Sequence, residues 1–314
     1  MDLNTKKIVV TGGSGFLGRV VCKRLEDKGC LDVAVPRSQD YDLTTERAAI
    51  ALYADFRPDV VIHLAAEVGG IGANRERPGR FFFANMAMGL HLIEHARRAG
   101  LEKFVQVGTV CSYPRDPKVP FREDDLWEGY PEETNAPYGI AKKSLFVMLE
   151  AYWREYGLRS CLVVPTNLYG PGDNFDPRTS HVIPALIRKC LEAVEARQST
   201  VNCWGTGAAS REFLYVEDAA EAIVRATERI DEPRPINLGT GQEVTIAALV
   251  QMIGNACGFD GEYVWDSGQP DGQPRRSLDT SRAEQELSWK AKTDLADGIA
   301  KTVAWYQSER ASDH

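Results

Sequence analysis

"KKIVVTGGSGFLGRVVCKRLEDKG", residues 6–29, carries the fold. Its β-branched run reads as a short strand ending in a glycine-rich turn, and the residues that follow have helical spacing with a stop at Gly29. Gly12, Gly15 and Gly18 stand three apart, directly after the strand and at the opening of the helix. Glycines there allow a tight turn and close backbone approach, and a helix N-terminus offers free N–H groups to a pyrophosphate. Three glycines alone are a weak signal, also compatible with an ordinary turn, and this spacing is tighter at its start than the common G-x-G-x-x-G. Their surroundings decide.

Outward from that stretch the chain alternates. "DVAV" (32–35) is a second strand, "TTERAAIALYADF" (44–56) a helix opened by a threonine cap, and "DVVIHLAA" (59–66) a third strand. Residues 78–99 make a long helix, "KFVQVGT" (103–109) a strand, 136–156 another long helix, and "SCLVVPTNLYG" (160–170) a further strand. Strands alternating with helices predict parallel βαβ units: an α/β protein with a Rossmann-type doubly wound parallel sheet. After Tyr169 the pattern loosens into "GPGDNFDPRTS" and "DSGQPDGQPRR", and such long loops in a compact enzyme are usually functional. The expected division is a dinucleotide-binding domain over 1–168, with a returning segment near 212–232. A smaller α/β substrate-binding domain is expected from 169–211 and 233–314.

At 314 residues the chain can bury a sizeable core, and 43% hydrophobic with 26% charged residues is ordinary for a globular protein. A net charge of −8 argues against nucleic acid or an anionic membrane as partner. The seven cysteines are odd in number and include no C-x-x-C, which points to reduced thiols, with no disulfide framework and no metal site. The start has no long apolar segment with a cleavage site, and no run reaches membrane-spanning length, so a cytoplasmic protein is expected.

The end of the second strand bears on the cofactor. An Asp or Glu there would take the adenosine ribose 2′-OH. "DVAVPRSQD" has Pro36, Arg37 and Ser38 at that place, and a cation with a hydroxyl suits a 2′-phosphate. NADP is therefore expected, with NAD admissible if Arg37 is a solvated surface residue and Asp40 or Asp42 supplies the acid.

"APYGIAKKS" puts Tyr138 and Lys142 four apart at the head of a helix, hence on one face. A tyrosine near its ordinary pKa of about 10 is a poor proton donor at neutral pH, and a neighbouring ammonium lowers that value. Before this helix, "FVQVGTVCSYP" (104–114) ends a strand at Thr109. If the chain stays extended there, Thr109 and Cys111 point to one side. Cys111 is then either a small core hydrophobe or half of a piece of chemistry.

This arrangement resembles the extended short-chain dehydrogenases/reductases, in which a Ser or Thr, a Tyr and a Lys carry out hydride chemistry with NAD(P). More narrowly, "HLAAEVGGIGAN", "GTVCSYP", "PTNLYGPGDNFDPRTSHVIPALIRK", "WGTGAASREFLYVEDAA", "NLGTGQEVTI" and "PDGQPRRSLD" resemble successive signatures of the GDP-L-fucose synthase family, from about Lys7 to Trp289. That resemblance implies a 3,5-epimerase/4-reductase acting on a nucleotide-linked 4-keto sugar. Thr109, Tyr138 and Lys142 would reduce C4, while Cys111 and His181 would serve as base and acid in epimerisation. It implies cofactor contacts at Gly12, Ser14, Gly15, Phe16, Leu17, Gly18, Leu64, Ala65, Ala66, Pro165 and His181, besides Tyr138 and Lys142. Substrate contacts fall on Asn167, Lys189, Trp204, Arg211 and Arg276, and arginine forks suit a diphosphate.

The residues themselves leave a core thiol open for Cys111, a helix cap for His181, and an ion pair with Glu212 or Asp279 for Arg276. The chain departs from the family at Thr109 and Val110, which replace serines, at Lys189, which replaces an arginine, and at Glu67, which replaces a lysine. Those departures keep alive a 4-reductase or redox-neutral C4 epimerase acting on another nucleotide hexose or heptose. A catalytically dead dinucleotide sensor is disfavoured because Tyr138 and Lys142 are both present. By analogy with the superfamily, the helices at 78–99 and 136–156 would build a homodimer interface.

Overall fold

Ile8–Thr11 forms β1, all four residues buried, and Phe16–Asp27 forms α1, which gives way to Gly29 at φ +90°. The computed structural model describes residues 1–268 and 271–312. Gln269, Pro270, Asp313 and His314 lie outside the described residues, and with them the first residue of the 270–279 signature and the last two of the expected substrate domain. The chain continues with β2 (Val33–Ala34), α2 (Glu46–Phe56), β3 (Val60–His63), α3 (Ile71–Glu76), α4 (Pro78–Ala99), β4 (Lys103–Val107), α5 (Ala136–Tyr156) and β5 (Ser160–Pro165). Then come β6 (Asn167–Tyr169), α6 (Val182–Glu195), β7 (Thr200–Trp204), β8 (Ser210–Arg211), β9 (Phe213–Tyr215), α7 (Val216–Arg229) and β10 (Pro235–Leu238). The last elements are β11 (Val244–Thr245), α8 (Ile246–Cys257), β12 (Glu262–Asp266), α9 (Ser281–Leu287) and α10 (Leu295–Ser312).

The helix boundaries have local causes. The Thr45 hydroxyl accepts the Ala48 N–H and opens α2. Both long helices start with a proline in the first turn and close on a left-handed glycine, Gly100 and Gly157, each at φ +71°.

Six strands lie in one sheet in the order β10–β5–β4–β3–β1–β2, every pair parallel. Ile8 and Val10 face a layer containing α1, α7 and α9, while Val9 faces α2, α4 and α5. On the second face Leu52, Leu92, Ile93 and Leu149 are wholly buried, each worth about 1.5–3 kcal/mol of transfer free energy. The strand order reverses between β1 and β3, which opens a crevice beyond their C-terminal ends.

Two expectations change. "SCLVVPTNLYG" is two strands: Pro165 has no N–H to continue the ladder, and Thr166 Oγ1 and Asn167 Nδ2 both donate to the Glu212 carbonyl. β6 therefore pairs with β9 instead of extending β5. The chain's return to the main sheet also runs beyond residue 232, because β10 is its edge strand and Leu287 and Trp289 share the α1–α7 core. A third apolar cluster joins α6, β7, β9, α8 and α10 on the far side of the crevice.

Candidate active site

The site begins at the glycine turn. A Cβ on Gly18 would lie 2.1 Å from the Gly12 carbonyl oxygen, so only glycine lets α1 spring directly from β1. The first turn of α1 has N–H groups without intrahelical acceptors. Gly12, Ser14, Gly15, Phe16, Leu17 and Gly18 line a cleft of about 1000 Å³, together with Leu64, Ala65 and Ala66 after β3 and with Pro165. This is a cradle that fits a dinucleotide pyrophosphate. At its adenosine end Ser38, Asp42 and Thr44 are on the wall, but Arg37 is not. Arg37 is exposed on a turn in which its own carbonyl accepts the N–H groups of Asp40 and Tyr41. The Asp42 carboxylate is engaged by the N–H and hydroxyl of Thr44, which hold its pKa down.

The chain after β4 does not stay extended. Thr109 Oγ1 accepts the Cys111 N–H at 3.2 Å, and Val110–Ser112 close a single 3₁₀ turn. Cys111 is thereby half-buried on the cleft wall and is not a core thiol. α5 packs on this turn at close range: a Cβ on Gly139 would lie 2.2 Å from the Cys111 carbonyl oxygen, and Ser112 Oγ donates to the Gly139 carbonyl at 3.0 Å. That contact sets Tyr138 and Lys142 in the cleft wall beside the turn that bears Thr109.

Burial raises the Tyr138 phenol above the tyrosine range; the Cys111 sulfur adds to the rise and Thr109 opposes it. Desolvation brings the Lys142 ammonium down to about 8. The expected lowering of the tyrosine by the lysine does not occur: burial and the Cys111 sulfur raise it, and Thr109 is the group that opposes them.

His181 stands at the N-cap of α6, yet its side chain makes no capping bond. Its ring is open to the cleft but enclosed by the surrounding walls, and that enclosure lowers its pKa below the imidazole value.

Asn167, Lys189, Trp204, Arg211 and Arg276 line the same cleft. Lys189 Nζ is tied to the Asn202 carbonyl at 2.9 Å. Arg211 donates to the carbonyls of Ser210 and Asp271, and burial with the nearby Arg276 charge pushes it down to about 10. Two guanidiniums close enough to repel each other make this part of the cleft a place for an anion. Arg276 does not pair with Glu212, whose carboxylate accepts backbone N–H groups of Gly241 and Leu278, nor with Asp279, which caps Ser281. Its contacts among the described residues are Gln273 Oε1 at 3.1 Å and Cys111 Sγ at 3.8 Å.

One wall residue escapes motif reasoning. Asp173 is buried with Oδ2 unpartnered among the described residues, and desolvation raises it to about 7. The Gly-Pro-Asp loop around it was the available signal. Among the described residues no group of three or more His, Cys, Asp or Glu is placed to hold a metal ion.

The NAD-dependent epimerase/dehydratase family model matches residues 8–239. The chain belongs to this family. A family relative from Oryza sativa subsp. japonica, a probable GDP-L-fucose synthase 1, is 38% identical over 96% of this chain and 92% of its own length. Two solved structures share the fold throughout. A GDP-6-OMe-4-keto-L-xylo-heptose reductase from C. jejuni superposes with a TM-score of 0.92 at 28% identity, covering 98% of this chain and 99% of that one. A GDP-L-fucose synthetase from Naegleria fowleri bound to NADP gives 0.88 at 28% identity, covering 97% and 93%. The protein is an NAD(P)-dependent enzyme of the epimerase/dehydratase family.

Proposed function

We propose that the protein is a GDP-L-fucose synthase-type epimerase/reductase, which inverts C3 and C5 of a GDP-linked 4-keto-6-deoxy sugar and reduces C4. One observation carries this reading: Cys111 and His181 line the same cleft as Thr109, Tyr138 and Lys142. A C4 ketone makes the hydrogens on C3 and C5 acidic. Cys111 removes such a proton and His181 delivers one. Thr109 and Tyr138 hold the C4 oxygen, to which Tyr138 supplies the proton. Bound NADPH supplies the hydride that C4 receives. Lys142 holds a ribose hydroxyl of the cofactor, and Arg211 with Lys189 takes the diphosphate. NADP is preferred over NAD, and the C. jejuni and N. fowleri neighbours support the GDP-sugar and NADP parts of the reading. We assign residues 1–168, with the returning segment extended through β10 and joined by α9 and Trp289, to cofactor binding and the remainder to substrate.

A second reading, a 4-reductase without epimerisation on a GDP-heptose, has a specific basis. The heptose reductase superposes at 0.92, and Thr109 adds a methyl where serine is usual. The deciding experiment incubates the enzyme with NADPH and either keto sugar and identifies products by mass spectrometry and NMR. Our reading expects NADPH oxidation and GDP-L-fucose from the deoxyhexose; turnover of the heptose alone would reject it.

We infer that the enzyme is a homodimer joined through α4 and α5, which carry the exposed apolar residues Phe82, Phe83, Leu90, Val147 and Trp153. No described helix is long and apolar enough to cross a membrane, and all seven cysteines are free, which supports a reducing cytoplasm.

A further inference from the structure

Arg276 is expected at the substrate diphosphate, and its guanidinium, beside Arg211 on the cleft wall, is turned toward a sulfur. Nη1 points at Cys111 Sγ, 3.8 Å away, across 165 residues of sequence. The side chain is 8% exposed, and its Nε is held by Gln273 Oε1 at 3.1 Å. Gln273 is itself fixed, donating through Nε2 to the Arg115 carbonyl at 2.6 Å. So the guanidinium is clamped in place by a neutral amide and aimed at a sulfur, with no carboxylate contact among the described residues. A guanidinium cannot give up its proton in a protein, and a buried cation without an acid beside it favours an anion at its free face. The sulfur occupies that face.

We propose that Arg276 is the positioning residue of the epimerisation base: it orients the Cys111 sulfur through an N–H···S contact and meets the negative charge that sulfur carries when it acts as base. This rests on the epimerase reading of the cleft. In the step it serves, the thiolate takes a proton from the carbon beside the ketone, forming S–H and an enolate. Protonated His181 then gives its proton to that carbon, leaving neutral imidazole and an inverted centre. Solvent protonates the imidazole and takes the thiol proton, so no net proton or electron is consumed. Arg276 compensates the negative charge on sulfur before the step and is relieved of it as the proton arrives. A residue that only bound diphosphate would have no reason to be clamped against the sulfur.

The test needs no sugar. NADPH-saturated enzyme is labelled at pH 7 with iodoacetamide, a neutral reagent that reacts with thiolate, and the Cys111 peptide is followed by mass spectrometry. Half-buried Cys22 serves as the internal reference. Arg276→Gln should slow Cys111 labelling about tenfold, Arg276→Lys should restore most of the rate, and Cys22 should be unaffected. If Arg276→Gln fails to bind NADPH, Gln273→Met, which removes the clamp, gives the same comparison with slowing of about threefold. Cys111 labelling at the wild-type rate or faster, in whichever of the two variants binds NADPH, overturns the inference and leaves Arg276 a phosphate contact. The epimerase reading fails on a different result: a Cys111→Ser enzyme that still exchanges the C3 and C5 hydrogens with solvent.

Discussion

Tyr138 and Lys142 share one face of α5, and both are buried beside the turn that bears Thr109 and Cys111. Tyr138→Phe removes the proton donor while keeping the ring. Turnover should fall about 10²–10⁴-fold with NADPH affinity retained; full activity in a titration of purified enzyme would remove the tyrosine from the chemistry. Lys142 makes a pH prediction. Its folded pKa, about 8, lies below the ordinary lysine value near 10.4, so the folded state binds its proton more weakly than the unfolded one. Stability is therefore reduced at neutral pH and recovers as pH rises from about 8 toward 10.4. Without cofactor, Lys142→Met should be more stable than wild type at pH 7, by up to about 3 kcal/mol, and the gain should shrink by pH 10. Denaturant melts at the two pH values check this, and a less stable variant at pH 7 contradicts it. The Tyr–Lys pair is legible from a four-residue spacing. The Arg276–Cys111 contact is not, because it joins loops 165 residues apart.

Elements with local causes were readable. α4 and α5 span 78–99 and 136–156, as expected, and the structure gives the local causes, a proline near each start and a left-handed glycine after each end. The break between β5 and β6 was not, since it depends on donors from Thr166 and Asn167 reaching the distant Glu212 carbonyl. Strands of two residues, such as β8 and β11, are too short to show periodicity and exist through their partners. The α1 start is the most exacting junction. Gly18→Ala places a methyl against the Gly12 carbonyl and forces α1 off the turn. It should cost about 1–3 kcal/mol of stability and weaken NADPH binding at least tenfold, as read by calorimetry. Wild-type affinity would show that the cradle does not hold the pyrophosphate.

At the scale of the whole molecule, the sheet supplies the cofactor half of one cleft and the loops around α6, β8 and β11 supply the rest. The outer faces of α4 and α5 are where a second copy should sit. The double variant Phe83→Glu, Val147→Glu should convert a dimer to a monomer in sedimentation equilibrium; a monomeric wild type would refute the interface. The central claim is that epimerisation and reduction occur in one cleft, and it is tested most directly by turnover in heavy water. The GDP-4-keto-6-deoxy sugar is converted with NADPH and the product is examined by NMR for deuterium at C3 and C5. Wild-type product should carry deuterium at both carbons. Cys111→Ser should still transfer hydride but yield a 4-reduced product without deuterium at either. Wild-type product with hydrogen at both positions would contradict the account and leave a simple reductase.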